Sequence, residues 1–337
     1  MKLSDIGEFG LIKKIAKETI FDSRGVIKGI GDDAAVIAPV EGSVLLVSSD
    51  MLVDGVHFIY GRITPYQLGC KAMAVNLSDI AAMGGRPRHV LVSLALPGWL
   101  PVEEIEELYW GVKKTLSRWS VNLIGGDTVR SDILTIDVMI IGEAFRERVI
   151  TRSGAQPGDT LMVTGSLGGS AAGLEILMGE KLAEKVTEED RNLLLSRHLT
   201  PEPRLEQSSL LSDMGFVTSM MDISDGLGGD IKHICESSNV GAEIYVNSLP
   251  VSPSAARVAV ISGKNIFEWA LAGGEDYELL FTVPAERKEQ VIEAFKKAGK
   301  GNVTAIGKIT DPGKGIRLLG MDKDLDLDSY KSGFKHF

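Results

Sequence analysis

Six aspartates stand where the chain turns or packs tightly, and oxygen-ligand metal chemistry is what such a set can do. Asp33 lies in GIGDDAA, Asp50 closes an apolar run as SSD, Asp79 sits in AMAVNLSDIAAM, and Asp127 follows two glycines as GGD. Asp222 and Asp225 flank the end of another apolar run. Aspartates at strand ends are also ordinary turn formers and helix caps, so none of them decides alone. Asp79 is harder to place in that role. Its stretch is apolar nearly all round, the composition of a buried helix, and no lysine or arginine lies within a turn to neutralise it. Asn76, three residues earlier, shares its helix face. Either backbone amides hydrogen-bond this carboxylate or a cation meets it. Aspartate oxygens without cysteine, and without paired-histidine spacing, suit a hard cation such as magnesium rather than zinc.

Glycine-rich turns stand beside several of these carboxylates: GIGDD, IGGDT, TGSLGG and AGGED. Glycine lets backbone approach a phosphate, and a helix start after such a loop favours anions, but tight turns need the same residues. The turn at Gly165–Gly169 is not GxGxxG, and GxxxxGK[ST] occurs nowhere, which disfavours a Rossmann or Walker-type site. His57, in DGVHF, is either a packed or surface histidine or a functional one, and Arg152 is either a surface charge or a phosphate clamp. The serines of SSD and DISDG have no GxSxG context.

Elements must position these groups. Val44–Ser49 reads as a strand ending at Asp50, and 65–83 as one helix opened by Pro65 and closed by Gly84 and Gly85. A helix over 102–119 precedes a strand Val121–Ile124 that ends in GGD, and Leu134–Ile141 is a further strand. The segment TRSGAQPGDT at 151–160 is the best boundary, giving domains 1–149 and 150–337. The second half predicts strands at 160–164, 217–222, 242–246, 278–283 and 303–309. Its predicted helices start near Ser170 and cover 204–214, 226–237 and 285–298. Mixed elements in both halves predict two α/β domains.

The composition limits the function classes. Over 337 residues, 44% are hydrophobic, and 36 basic against 46 acidic side chains give a formal charge of −10. No basic field exists for a nucleic-acid backbone, so an anionic substrate needs a local cation. No apolar run is long enough to span a bilayer, and MKLSDIGEFG is not a signal peptide. The two cysteines, Cys70 and Cys235, form no CxxC pattern; a cytoplasmic protein without nucleic-acid or membrane partners is expected.

Taken in order, the motifs resemble the thiamine-monophosphate kinase family. The matching pieces are GEFGLI (7–12), GIGDDAAVI (29–37), SSDMLVDGVHF (48–58), KAMAVNLSDIAAMGGRP (71–87), LIGGDT (123–128), TRSGAQPGD (151–159), TGSLGGSAAGL (164–174), MDISDGL (221–227) and GGEDYELLF (273–281). The resemblance implies two mixed α/β domains of the aminoimidazole ribonucleotide synthetase-like type and a homodimer joined through the N-terminal domain. It implies direct transfer of the γ-phosphoryl group of ATP to thiamine monophosphate, the last step toward thiamine diphosphate, assisted by several magnesium ions. Carried over motif by motif, Asp33, Ser48, Ser49, Asp50, Asp79, Asp127, Asp222 and Asp225 become the metal shell. Tyr109, Gly126, Asp127, Arg152 and Ser224 become nucleotide contacts. His57, Glu275 and Phe334 become the thiamine end, with Tyr330 the alternative to Phe334 in another register of the tail. Many carboxylates and no evident nucleophile agree with phosphoryl transfer. Competing readings are other members of the superfamily, such as selenophosphate synthetase, and a metal-dependent nucleotide sensor without turnover. The reactive cysteine expected near the start, or at the extreme end, of two of those relatives is missing.

Overall fold

The structure, a computed structural model, describes residues 14–30, 34–320 and 325–326. Asp33, Tyr330 and Phe334 lie outside them. The chain forms two compact units: the first runs to Ile80 and resumes over Gly85–Glu147, and the second takes Ala81–Gly84 and the chain from Arg148 onward.

The first unit holds a short ribbon, β1 (Val26–Lys28) with β2 (Val36–Ile37), and a four-stranded sheet. The sheet is made of β3 (Ser43–Val53), β4 (Arg86–Leu96), β5 (Asn122–Arg130) and β6 (Thr135–Phe145), in the order β3-β6-β4-β5. The β3–β6 and β4–β6 pairs are antiparallel, and β4–β5 is parallel. That parallel step needs a crossover, which the helix Val102–Trp119 supplies. The helix ends where Ser120 turns left-handed at φ 55° and returns its N–H to the carbonyls of Leu116 and Ser117. Between β3 and β4 runs the helix Pro65–Ala82. Thr64 and Gln67 open it with reciprocal hydrogen bonds, Thr64 N–H to Gln67 Oε1 at 3.0 Å and Gln67 N–H to Thr64 Oγ1 at 3.2 Å, a capping box around Pro65.

Strand alternation divides this sheet into two faces. Leu46, Leu52, Val90, Val92, Leu94, Leu96, Ile136, Val138 and Ile140 are buried on one. The alternate residues Leu45, Val47, Met51, Met139 and Phe145 remain exposed on the other. The apolar residues from Val90 to Leu96 belong to the interior strand β4. Among the described residues no helix is long and apolar enough to cross a bilayer.

The second unit is built on a seven-stranded sheet of β7 (Thr160–Thr164), β8 (Ser219–Asp222), β9 (Gly241–Tyr245), β10 (Leu279–Val283), β11 (Val303–Thr310), β12 (Ile316–Leu319) and β13 (Leu325–Asp326). Their order is β13-β12-β9-β11-β7-β10-β8, antiparallel except for β12 beside β9. Every residue of β8 and β10 is buried, including the polar Ser219, Asp222 and Thr282. Helices Gly169–Met178, Leu205–Met214, Leu227–Ser238 and Lys288–Ala298 lie close to the ranges expected. Helices Glu188–Leu199, Pro253–Ser262 and Ile266–Ala272 and strand β12 were not anticipated. Both units are mixed α/β, as the residue pattern and the resemblance required.

Candidate active site

In the first unit, Ser48, Asp50 and Asp79 come together through β3 and the helix Pro65–Ala82. The Ser48 hydroxyl donates to the Asp79 carboxylate. One turn earlier on the same helix face, Asn76 Oδ1 accepts the Asp50 N–H at 3.2 Å while its Nδ2 donates to the Ala72 carbonyl at 3.0 Å. The shared face of Asn76 and Asp79 is thus used to grip two positions of one strand. Asp79 itself is half-buried, more open than its apolar stretch suggested, because the helix turns this one residue toward the strand's polar stretch. Ser49 points to the other side of β3, where its hydroxyl donates to Asp137 Oδ1 at 2.9 Å.

Two expectations about strand ends need correction. Asp50 and Asp127 lie inside strands, because β3 stays paired with β6 as far as Val53 and β5 stays beside β4 as far as Arg130. Asp127 is exposed and opposite Ser93. Its strand and β3 are the two edges of the sheet, three strand spacings or about 14 Å apart. The first unit therefore does not bring Asp127 beside Ser49 or Asp50. Gly126 has a packing reason of its own, since a Cβ there would fall 1.9 Å from the Val92 carbonyl oxygen. Tyr109 is also corrected: it is 3% exposed, and burial pushes its phenol above the usual range, so its side chain belongs to the core and has no face for a nucleotide.

His57 sits in the turn that leaves β3. The Val53 N–H donates to its Nδ1 at 3.1 Å, so in the neutral ring the proton lies on Nε2. The turn is closed by His57 N–H to the Val53 carbonyl at 2.9 Å, and the fully buried Lys71 donates to the His57 carbonyl at 3.4 Å.

In the second unit, β8 ends at the buried Asp222, and the turn Ile223–Gly226 carries Ser224 and Asp225 into the helix Leu227–Ser238. Asp230, in the first turn of that helix and 1% exposed, reaches back so that its Oδ2 accepts the N–H of Ser224 at 3.1 Å and of Asp225 at 3.3 Å. Burial, reinforced by the charges of Asp222 and Asp225, pushes the Asp230 carboxyl up to about 8. Asp230 is not in the sequence-derived set; its cue is a third acid, eight residues after Asp222, at a helix start.

The AGGED loop runs alongside this turn. Glu275 N–H donates to the Ser224 carbonyl at 2.7 Å and Tyr277 N–H to the Ile223 carbonyl at 2.9 Å, which places Glu275 next to Ser224. Glu275 and Tyr277 both have left-handed backbones, at φ 64° and 49°. Two buried acids hold them there. Asp276 accepts the N–H of Gly168 at 2.7 Å and of Ser170 at 3.1 Å, and burial pushes its carboxyl up to about 7. The start of the helix Gly169–Met178 is thus occupied by the chain's own carboxylate, which accounts for the GSLGG turn without a phosphate. Glu278, wholly buried, takes a two-pronged contact from Arg204 at 2.7 and 2.6 Å and the Thr164 hydroxyl at 2.7 Å. A Cβ on Gly165 would lie 2.0 Å from Glu278 Oε1, so only glycine fits.

Arg152 is exposed, and the Ser238 hydroxyl holds its segment by accepting from Gly154 and Ala155 N–H and donating to the Arg152 carbonyl at 3.3 Å.

These donors are carboxylate and hydroxyl oxygens. Among the described residues, no three histidine, cysteine, aspartate or glutamate side chains gather closely enough to hold a metal by themselves. That donor set fits magnesium, which keeps several waters and takes only one or two carboxylates together with phosphate oxygens.

Residues 31–144 match the N-terminal domain, and 156–319 the C-terminal domain, of the AIR synthase related proteins. The chain is 38% identical to the thiamine-monophosphate kinase of Aquifex aeolicus over the whole of both chains. It is similar to the crystal structure of the thiamine-monophosphate kinase from Stenotrophomonas maltophilia, with 35% identity, a TM-score of 0.83, and 94% and 97% of the two chains covered. A further solved structure, a complex with AMPPCP and TMP, is 36% identical with a TM-score of 0.77, over 100% of this chain and 99% of that one.

Proposed function

The chain belongs to the thiamine-monophosphate kinase family, and from that premise we propose that it moves the γ-phosphoryl group of ATP directly onto the phosphate of thiamine monophosphate, giving thiamine diphosphate and ADP. The observation that carries this is full-length similarity to these kinases combined with a carboxylate-rich site in which, among the described residues, no hydroxyl or imidazole is set up as a nucleophile.

Magnesium, when bound, would supply the positive charge that neutralises the reacting phosphates. Asp33, Ser48, Ser49, Asp50, Asp79, Asp127, Asp222 and Asp225 are the residues proposed to hold it. Ser48 orients the Asp79 carboxylate, and Asn76 fixes the strand at Asp50. Asp230 ties down the amides of Ser224 and Asp225, so those side chains keep their direction without rearrangement. Gly126, Asp127, Arg152 and Ser224 are assigned to the nucleotide. His57, Glu275 and Phe334 are assigned to the thiamine end, where the negative Glu275 suits a cationic thiazolium.

A homodimer is part of the same reading. The exposed side chains of Leu45, Val47, Met51, Met139 and Phe145 form an apolar sheet face of the kind that a second copy covers. Asp50 and Asp127, on opposite sheet edges, are too far apart to share one ion, so they are assigned to different ions. Both cysteines are free thiols, in keeping with the cytoplasm.

The test is turnover of purified protein with magnesium, ATP and thiamine monophosphate, using chiral γ-phosphate. Thiamine diphosphate should form with inversion at phosphorus, and thiamine itself should be a poor acceptor. Net retention, a phosphoenzyme formed with ATP alone, or phosphorylation of thiamine in place of its monophosphate would refute the proposal.

A further inference from the structure

We propose that His198 is a positioning residue that aims the Glu275 carboxylate at the thiamine end of the substrate, an inference that rests on the assignment of Glu275 above. His198 lies in the last turn of the helix Glu188–Leu199 and is 6% exposed. Its Nδ1 stands 3.1 Å from Glu275 Oε2 and 3.0 Å from the Ser170 hydroxyl. A carboxylate can only accept, so the tautomer that lets His198 hold Glu275 carries its proton on Nδ1, with the Ser170 oxygen as a second acceptor. Ser170 in turn gives its backbone N–H to Asp276, the residue after Glu275. The contacts close a ring: Glu275 to Asp276 along the chain, Asp276 to the Ser170 amide, Ser170 hydroxyl to His198, and His198 back to Glu275.

The ring explains how a glutamate is kept in a left-handed backbone with its side chain still ordered. The hydrogen bond from Glu275 N–H to Ser224 fixes the main chain, but leaves the three side-chain torsions free. His198 removes that freedom from the buried side. The Glu275 side chain keeps 24% of its surface open, against 7% for His198. One of the pair faces outward and the other holds it. A histidine that only filled the core would not need its Nδ1 on that carboxylate.

Steady-state kinetics on the full-length enzyme test this, with Glu275→Gln as the reference. His198→Ala should raise the KM for thiamine monophosphate about tenfold, the scale of losing one charge-assisted hydrogen bond, and leave the KM for ATP within about twofold. His198→Asn, whose amide N–H stands near the position of Nδ1, should recover most of the loss. In the double variant His198→Ala/Glu275→Gln the two effects should not add. If Glu275→Gln leaves the thiamine-monophosphate KM unchanged, the assignment of Glu275 falls and this inference with it. If Glu275→Gln raises that KM while His198→Ala does not, raises both KM values alike, or adds in full, the positioning role is overturned and Glu275 stands. Should His198→Ala fail to fold, His198→Asn against His198→Gln decides. Asn near wild type with Gln impaired supports the role, and equal KM values refute it.

Discussion

Replacing Asp276 by asparagine should cost stability in acid and cease to do so above neutrality. The carboxyl ordinarily titrates near 3.8, and burial pushes it up to about 7 in the fold. Across that interval the folded chain keeps a proton that the unfolded chain has lost. The stability this group contributes is therefore complete below pH 4 and is lost as pH rises through 7. Well inside that interval each pH unit removes about 1.4 kcal/mol, and the slope halves near pH 7, so wild type gives up about 2 kcal/mol between pH 5 and pH 7. The asparagine variant has nothing to titrate. It starts behind at pH 5 by about 1–3 kcal/mol, because one of the Gly168 and Ser170 amides then faces an NH2 group in place of an acceptor. By pH 8 it should be level with wild type or ahead of it. Urea unfolding of both full-length proteins at pH 5, 6, 7 and 8, followed by far-ultraviolet circular dichroism, measures the gap, and other titrating groups cancel in the difference. A gap that stays constant from pH 5 to pH 8 would show that Asp276 titrates normally, and would refute the account of how burial acts on this loop.

Arg204→Met should lower stability by about 3–5 kcal/mol by stranding the wholly buried Glu278, and Arg204→Met/Glu278→Met should be less damaging than the single change, as read from urea midpoints. Asp79→Asn should shift metal-free stability by less than about 1 kcal/mol, because the amide oxygen can still accept from Ser48. The same variant should lose most of the thermal shift that magnesium with ATP gives wild type, about 2.7 kcal/mol at a hundredfold excess over Kd. Clear destabilisation without metal and an undiminished shift would instead make Asp79 a purely structural residue.

How far this could be read in the sequence depended on whether a signal was local. The helix Pro65–Ala82 announced itself through Pro65, its apolar period and the two glycines after it, and the pairing of Asn76 with Asp79 on one face followed from spacing alone. The strand containing Asp50 was found but stopped too early, because serine and aspartate look like an end when the partner strand that carries pairing on to Val53 is unseen. The same cause cut β5 short at Asp127. Strand β4 looked like an unassigned apolar run because a strand flanked on both sides has little polar alternation. The residues behind the site were hardest. Arg204 and Glu278 are 74 positions apart, and His198 meets a glutamate 77 positions later; no pattern in either segment points to the other. Asp230 and Asp276 resemble ordinary surface acids until burial is known.

The turn between β7 and the helix Gly169–Met178 bears on inhibitor chemistry. A phosphate group or its mimic is held by a glycine-rich phosphate loop through a ring of backbone N–H groups. In this turn, the amide of Gly165 is engaged by the Asn302 carbonyl, that of Leu167 by the Pro250 carbonyl, and those of Gly168 and Ser170 by Asp276. A phosphate mimic designed for such a loop finds these amides already taken. Selective ligands for this enzyme therefore have to be sought through groups that chelate a hard cation or carry a positive ring, a chemical space remote from that of the common adenine-competitive scaffolds.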